Sequence, residues 1–123
     1  MAKEQRFEIY SGPILVGWSG LELGDPPMGV AFGRFLPAQG YSAIQSFVVA
    51  AAGGPLPDHL NLSIREKAGA VLQASGGVHI TDCSAELGAE GMEVSILGVS
   101  YPSYESIFPE HVAAYERQFQ RNG

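Results

Sequence analysis

Three residues with reactive or metal-binding side chains fall close together at His79, Asp82 and Cys83. A histidine, a carboxylate and a thiol are zinc ligands, and a Cys–His pair can act as a nucleophile with its base. The surrounding pattern predicts a strand over residues 78–87, in which His79 and Cys83 share one face and Asp82 points to the other. Four residues along a strand span about 13 Å, which is too far for a shared metal ion or a hydrogen-bonded pair. We therefore expect Cys83 to be a small buried side chain, and we assign no metal site and no cofactor.

A second candidate for chemistry is the carboxylate pair Glu22 and Glu86. Each is followed by Leu-Gly, and each lies at the end of a predicted strand. Two carboxylates brought together acquire different pKa values and can do acid–base work. The interpretation we favour is simpler: each glutamate is exposed before a glycine turn, at opposite ends of the molecule. No catalytic residue is assigned, because the chain also lacks the G-x-S-x-G, H-E-x-x-H and paired C-x-x-C motifs.

Binding is the other chemistry that the residue types allow. The candidate binding residues are Trp18, Glu22, Asp25, Pro26, Pro27 and Arg34. The Asp25-Pro26-Pro27 stretch is stiff, and a stiff loop loses little entropy when it binds. The alternative is that it merely makes a tight connection between strands.

Trp18 and Arg34 each have two interpretations. Trp18 alternates with Ile14 and Val16, which predicts a core side chain, although tryptophan also anchors interfaces. Arg34 is an isolated cation on an apolar strand. We expect it to form a salt bridge with Asp25 or Glu22, the alternative being that it binds an anionic group.

The composition describes a folded, acidic protein. The 123 residues fit one domain, and 46% hydrophobic with 16% charged residues is too apolar for a disordered chain. Thirteen acidic and seven basic residues give a net charge of −6, which repels nucleic acid and anionic membranes. We therefore expect no nucleic-acid and no membrane partner, and instead a protein partner, a second copy of the chain (a homodimer) or a small molecule.

The cysteine count and the N-terminus suggest a location. Cys83 is the only cysteine, so the chain forms no internal disulfide, which suits a reducing compartment. Three of the first six residues are charged, Lys3, Glu4 and Arg6, and the segment contains no apolar stretch of the kind found in signal peptides. The expected location is cytoplasmic.

The elements that would position these residues are short strands in succession, with one helix in each half of the chain. A hairpin is predicted around the turn at 11–13, followed by further strands over 14–23 and 28–36. Apolar residues at helical spacing predict a helix over 41–52 and a second one that begins at Pro109. An aromatic cluster at the end of the chain is expected to dock that second helix in the core: Tyr101, Tyr104, Phe108, Tyr115 and Phe119.

A shift of about 64 positions aligns the two halves of the chain. Ser-Gly at 11–12 then falls on 75–76, and Glu-Leu-Gly at 22–24 falls on 86–88. We infer a single domain built from two diverged β-β-β-α repeats, over residues 6–52 and 59–121, with a connector at 53–58. The expected fold is α+β, with a mainly antiparallel sheet and two helices packed on it.

Three functional classes follow from these features. The favoured one is an acidic protein-binding or regulatory module, of the inhibitor type, that acts through the 25–27 loop. The alternative is a small-molecule-binding protein or enzyme with a pocket between the two repeats, lined by Trp18, Arg34 and tyrosines. The third is a purely structural subunit with a broad exposed apolar patch.

Overall fold

The computed structural model describes residues 5–67, 69–100 and 103–121, which form two four-stranded antiparallel sheets and several helices. The strands are β1 (Phe7–Ser11), β2 (Ile14–Ser19), β3 (Leu23–Asp25), β4 (Val30–Arg34), β5 (Leu36–Pro37), β6 (Leu62–Glu66), β7 (Gly77–Asp82) and β8 (Met92–Leu97). The α-helices are α1 (Gln45–Ala51), α2 (Ser84–Leu87), α3 (Ser103–Ile107) and α4 (Pro109–Arg121). The predicted antiparallel α+β fold is confirmed.

The first sheet has the strand order β5-β2-β1-β6 and begins with the predicted hairpin of β1 and β2. The register of this hairpin shifts in its middle, where Ile9 pairs with Gly17 and Tyr10 pairs with Leu15. Val16 is therefore the extra residue of a β-bulge, which reverses the alternation of faces along β2. As a result Val16 and Gly17 are both buried.

The bulge corrects the prediction for Trp18. Simple alternation would place Ile14, Val16 and Trp18 on one buried face. In the structure Val16 is fully buried, whereas Ile14 is exposed and Trp18 is only half-buried. Trp18 is therefore not part of the core.

The second sheet has the strand order β3-β4-β8-β7. Residues 14–23, predicted as one strand, are divided: β2 ends at Ser19 in the first sheet, and β3 begins at Leu23 in the second. β3 is an edge strand that pairs only with β4 among the described residues. This division places residues 20–22 at the crossing between the two sheets.

The strand predicted over 78–87 is also shorter than expected. β7 ends at Asp82, and residues 84–87 form the short helix α2. The cause is local: a carboxylate oxygen of Asp82 accepts a hydrogen bond of 2.8 Å from the backbone N–H of Ser84. An aspartate that binds the backbone two residues later turns the chain and ends the strand.

One apolar cluster joins both sheets and the helices. Its members include Phe7, Ile9 and Ile64 from the first sheet and Val94 and Ile96 from the second, all fully buried. Tyr104 and Phe108, at the α3–α4 junction, are buried in the same cluster with ring centroids 5.0 Å apart. The core role predicted for these two aromatics is confirmed. Tyr101 and the side chain of Phe119 lie outside the described residues.

The structure does not confirm the internal duplication. β2 pairs with β1 and β5, whereas its counterpart β7 pairs with β8. The other two counterparts, β4 and β8, pair with each other. Equivalent strands thus have different neighbours, and the duplication remains a prediction from the sequence.

Candidate binding groove

A groove of about 700 Å³ runs between the edge strand β3 and helix α4. Its described lining residues are Glu22, Leu23, Gly24, Asp25, Phe32, Glu110, His111, Ala114, Tyr115 and Gln118. We call this site the β3–α4 groove. It combines exposed carboxylates, apolar side chains and one buried histidine.

The backbone before β3 explains how its residues come to face the groove. Leu21 is fully buried and has a φ of 44°, which is unusual for a residue with a branched side chain. Its backbone N–H donates a 3.0 Å hydrogen bond to the Ser19 hydroxyl. The left-handed turn places Leu21 in the core, while the residues that follow, Glu22 to Asp25, are exposed.

The proline stretch after β3 forms a 3-10 turn over Pro26–Met28. Pro26 is buried, and Gly29 closes the turn with a φ of 66°. A side chain at Gly29 would also collide with the backbone of Val99. A Cβ there would lie close to three backbone atoms of Val99, the nearest at 2.4 Å. The buried proline and the left-handed glycine therefore restrict the two ends of the turn.

His111 lies at the base of the groove and is held by Tyr104. The Tyr104 hydroxyl donates to the carbonyl oxygen of Val30 at 2.7 Å and lies 2.9 Å from Nδ1 of His111. The imidazole also stacks on Phe108, with centroids 4.7 Å apart and the planes within 3°. Gly24 completes the packing, since a Cβ there would lie 2.5 Å from Nδ1 and would also collide with the Tyr104 hydroxyl.

The other ring nitrogen of His111, Nε2, forms no hydrogen bond of standard geometry within the described part of the chain, although the backbone of Glu22 and Leu21 interacts with the ring. The residue is only 5% exposed, and Nε2 lies 4.0 Å from a carboxylate oxygen of Glu110. Burial lowers the pKa of His111, although Glu110 and the backbone of Glu22 and Leu21 favour the protonated ring. The neutral imidazole is therefore the stable form at neutral pH.

The carboxylates of the groove differ in their partners. Glu22 accepts a 3.1 Å hydrogen bond from the backbone N–H of Gly20. Glu110 contacts the Arg6 guanidinium at a long 3.5 Å. Arg6 is itself bound elsewhere, with 2.8 Å to the carbonyl oxygen of Ile107 and 3.2 Å to the Glu66 carboxylate.

Two large apolar side chains lie exposed beside these carboxylates. Leu23, in β3, is 59% exposed, and Met28, in the following turn, is 67% exposed. All three residues of β3 are exposed. The surface made by Glu22, Leu23, Asp25 and Met28 is called the acidic edge below.

The structure brings some of the sequence-predicted binding residues together and separates others. Glu22 and Asp25 line the groove, and Pro26 and Pro27 form the adjoining turn. Trp18 lies in the first sheet, paired with Glu8 and Leu36. It does not line the groove.

The predicted salt bridge of Arg34 is not formed. Arg34 is exposed at the end of β4, where its cross-strand neighbour is Glu93. The ion pairs of the described residues include none between Arg34 and Asp25 or Glu22. The strand register carries Arg34 to the opposite end of β4 from Val30, the partner of Asp25.

Glu86, the proposed partner of Glu22, lies in helix α2 rather than at the end of a strand. It is exposed there, as the favoured interpretation of an exposed glutamate expects. The proposed pairing with Glu22 required both glutamates to lie at the ends of equivalent strands. Glu86 does not lie at the end of a strand, so the reason for the pairing no longer holds.

The expectation of a buried Cys83 is wrong: Cys83 is exposed, because it follows the last residue of β7 and precedes α2. Asp82 has a structural role. It accepts hydrogen bonds from the Tyr41 hydroxyl at 2.7 Å and from Gln45 at 3.3 Å, as well as from Ser84. Among the described residues, no three His, Cys, Asp or Glu side chains are grouped as metal ligands would be.

Sequence reasoning missed Tyr104, Glu110 and His111 as site residues. A signal for His111 was present, because it falls three residues after Phe108 and four before Tyr115, on the apolar side of the predicted helix. A histidine on such a face must find a polar partner. No local pattern indicates that this partner is Tyr104, since the two are joined across the break between α3 and α4.

No protein-family model, curated protein or solved structure matches this chain. None of the described helices is both long enough and apolar enough to cross a membrane. Function is therefore inferred from the groove and its surroundings.

Proposed function

We propose that this protein is a recognition module that binds a basic protein partner through the acidic edge. The observation that carries the proposal is the edge strand β3, which pairs only with β4 among the described residues, is exposed along its length and presents Leu23 beside the carboxylates of Glu22 and Asp25. Edge strands with unpaired backbone groups are sites at which another chain can add a strand.

The charge of the surface favours a basic partner. The net charge of −6 raises the rate of encounter with a positively charged surface, and carboxylates at the edge orient it. Leu23 and Met28 supply apolar area that is lost from water on binding. The fixed Pro26–Met28 turn limits the entropy lost in the complex.

The alternative of a small-molecule or enzymatic pocket between the two predicted repeats has less support. Residues from both halves, such as Ile9, Ala31, Ile80 and Val94, are fully buried against one another in a single cluster. A filled core leaves little room for a ligand between the halves, so a surface site is favoured.

The test is capture of partners from an extract of cells that express the protein. The immobilised chain is compared with a Glu22→Lys/Asp25→Lys variant and with a Glu86→Lys/Glu90→Lys control, which makes the same change in net charge at exposed positions elsewhere. We expect the natural chain and the control to capture the same basic proteins. The Glu22→Lys/Asp25→Lys variant is expected not to capture them. Equal capture by all three forms would refute binding at the acidic edge.

Self-association is a distinct outcome of the same hypothesis about the edge. Two copies that paired through β3 would form a dimer, which light scattering after size-exclusion chromatography detects directly. A dimer that persists in the Glu22→Lys/Asp25→Lys variant does not use this edge. If the dimer is lost in that variant and no basic protein is captured, the partner at the acidic edge is a second copy of the chain.

A further inference from the structure

We propose that two copies of this chain associate face to face through the outer side of the first sheet. The inference does not depend on the acidic edge, which is built on β3 of the second sheet. Two properties of the outer side carry it. Apolar residues lie where an antiparallel sheet usually exposes polar ones, and the charges of one row of side chains are complementary to the same row in a second copy.

The inner side of the first sheet is filled by the core. Phe7 and Ile9 of β1 and Ile64 of β6 are fully buried. Because successive residues of a strand face opposite sides, Glu8 and Tyr10 lie on the outer side. Residues directly opposite in neighbouring strands share a side. The outer side therefore also carries Leu15, Trp18, Leu36, Ser63 and Arg65, and these residues with Glu8 and Tyr10 are called the outer face below.

Three residues of the outer face are large and apolar. Leu15 and Trp18 come from β2, and Leu36 of β5 is directly opposite Trp18. All three are partly exposed. Apolar side chains grouped on the solvent side of a sheet indicate an interaction site, and tryptophan is among the residue types that contribute most to binding at interfaces.

One row across the strands gives the outer face its charge pattern. Trp18, Glu8 and Arg65 are directly opposite one another in β2, β1 and β6. Val71 extends the row, because it forms an antiparallel bridge with Arg65 and is 47% exposed, while its neighbour Leu72 packs against the core. From Trp18 to Val71 the row therefore reads apolar, acidic, basic, apolar.

This order is complementary to itself. A two-fold axis parallel to the strands and midway between β1 and β6 reverses the row in the second copy. Glu8 of each copy then faces Arg65 of the other, and Trp18 of each copy faces Val71 of the other. The charged pair and the apolar pair each form twice across the interface.

Arg65 is placed to reach a second copy. Its guanidinium lies over the Tyr10 ring, 4.4 Å from the centroid, and donates to the Tyr10 hydroxyl at 2.7 Å. Its contact with the Glu8 carboxylate in the same chain is long, at 3.5 Å, and Nε makes no hydrogen bond of standard geometry among the described residues. The Arg65 side chain is 40% exposed and that of Glu8 is 15% exposed, so the arginine is the member that extends across the interface.

The size and charge of the outer face set the expected strength of the dimer. The chain carries a net charge of −6, but Glu8 and Arg65 balance each other, so two copies meet here without local repulsion. Four strands of about five residues give a face of roughly 14 by 16 Å. This is small for a specific interface, and we expect a dissociation constant on the order of 10–100 µM.

The first test uses the natural chain, in which Trp18 is the single tryptophan. Sedimentation velocity between about 1 and 300 µM measures the equilibrium of monomer and dimer, and tryptophan emission is recorded over the same range. We expect dimers to form with a blue shift of the emission, because Trp18 leaves water. A chain that stays monomeric throughout, or a dimer with unchanged emission, would overturn the inference.

Charge reversal tests the two-fold arrangement. Glu8→Arg alone and Arg65→Glu alone each place like charges opposite one another and are expected to weaken the dimer at least about 10-fold. An equimolar mixture of the two variants restores opposite charges between copies, although neither chain regains its internal pair. We expect a heterodimer with an affinity within about 3-fold of that of the natural dimer. A mixture that associates no better than its components would refute the pairing of Glu8 with Arg65.

A further pair of variants tests the apolar contact. Trp18→Ala is expected to raise the dissociation constant at least about 10-fold. Leu87→Ala removes an exposed apolar side chain from α2 and is expected to leave it unchanged. Unchanged association of Trp18→Ala would count against the outer face. The measurements on the natural chain need no variant, so they decide the matter even if Trp18→Ala folds poorly.

The outcomes also separate this inference from the proposed function. A dimer that is lost in Glu22→Lys/Asp25→Lys and retained in Trp18→Ala uses the acidic edge, which overturns the inference. Capture of basic proteins by a monomeric Trp18→Ala variant would show that the recognition module acts without the dimer. If both proposals hold, each dimer presents two acidic edges, because β3 lies in the other sheet.

Discussion

The hydroxyl of Tyr104 lies 2.9 Å from Nδ1 of His111, across the break between helices α3 and α4. The same hydroxyl donates to the carbonyl oxygen of Val30 in β4, at 2.7 Å. One phenolic group thus joins two helices to the second sheet. This contact in the core also holds the imidazole at the base of the groove.

The first prediction concerns this hydroxyl. Tyr104→Phe removes the hydroxyl that bonds the Val30 carbonyl and lies against Nδ1 of His111, so we expect the free energy of unfolding in urea to fall by about 1–3 kcal/mol. Tyr10→Phe, which removes a hydroxyl at the surface of the first sheet, is the control for loss of a phenolic group. An equal loss of stability in Tyr10→Phe would contradict a specific role of the Tyr104 hydroxyl.

The second prediction follows from the lowered pKa of His111. Burial disfavours the charged ring and nearby Arg6 adds to this, while Glu110 and the backbone of Glu22 and Leu21 oppose it. Since the folded pKa lies below the unfolded one, the unfolded state binds the proton first as the pH falls. The contribution to stability is complete above the unfolded pKa of about 6.5 and is lost as the pH falls through the folded pKa.

The measurement is the free energy of unfolding in urea at pH 7.5, 6.5 and 5.5. The natural chain is expected to lose stability toward pH 5.5 by up to about 1.4 kcal/mol for each pH unit per proton taken up. His111→Gln is expected to reduce that slope, although it lowers stability at every pH. His59→Gln controls for the loss of a histidine that is exposed. An unchanged slope in His111→Gln would show that other groups cause the pH dependence.

Local sequence patterns were enough to predict part of the fold. Helix α4, the hairpin of β1 and β2, and the helix that contains α1 were all found, because each depends on neighbours within a few positions. The bulge at Val16 was not predicted. A single extra residue leaves the apolar pattern of the sequence unchanged, but it reverses which side chains of the strand face the core. The position of Trp18 was wrong for that reason.

Only the β3 side of the candidate groove could be predicted from the sequence. Asp25 was selected because it belongs to the stiff proline stretch, and Glu22 because it ends a predicted strand and matches Glu86. His111 and Glu110 come from a helix more than 80 residues later, and their approach to β3 depends on how α4 docks on the second sheet. Pairing over such a separation is set by tertiary packing, which spacing along the chain does not encode.

The third prediction tests the contact between Tyr41 and Asp82, at 2.7 Å. Burial raises the pKa of Asp82, but hydrogen bonds from Ser84, Tyr41 and Gln45 outweigh it and lower the pKa below the usual value. Burial, together with Asp82, raises the pKa of Tyr41. A double-mutant cycle of Tyr41→Phe and Asp82→Asn is expected to give a coupling of about 1–3 kcal/mol near neutral pH.

The pH dependence of the natural chain checks the same contact. Asp82 contributes to the free energy of unfolding above about pH 3.8, and this contribution is lost as the pH falls through its lower folded pKa. The share from Tyr41 is present below about pH 10 and is lost as the pH rises toward its raised folded pKa. A control cycle pairs Asp82→Asn with Tyr10→Phe, whose hydroxyl binds Arg65 in the first sheet. Equal coupling in the two cycles would refute a specific Tyr41–Asp82 bond.

The last prediction concerns the end of helix α1. Ala52 has φ 50° and ψ 43°, and its backbone N–H donates a 3.1 Å bond to the carbonyl of Val49. This left-handed cap favours glycine, so Ala52→Gly is expected to raise the free energy of unfolding by about 0.5–1 kcal/mol. Ala50→Gly, at an exposed position inside the same helix, is the matched control and is expected to lower it by a similar amount. Thermal unfolding of the two variants side by side decides the matter: the midpoints should move in opposite directions, and a loss of stability in both would mean that Ala52 is helical.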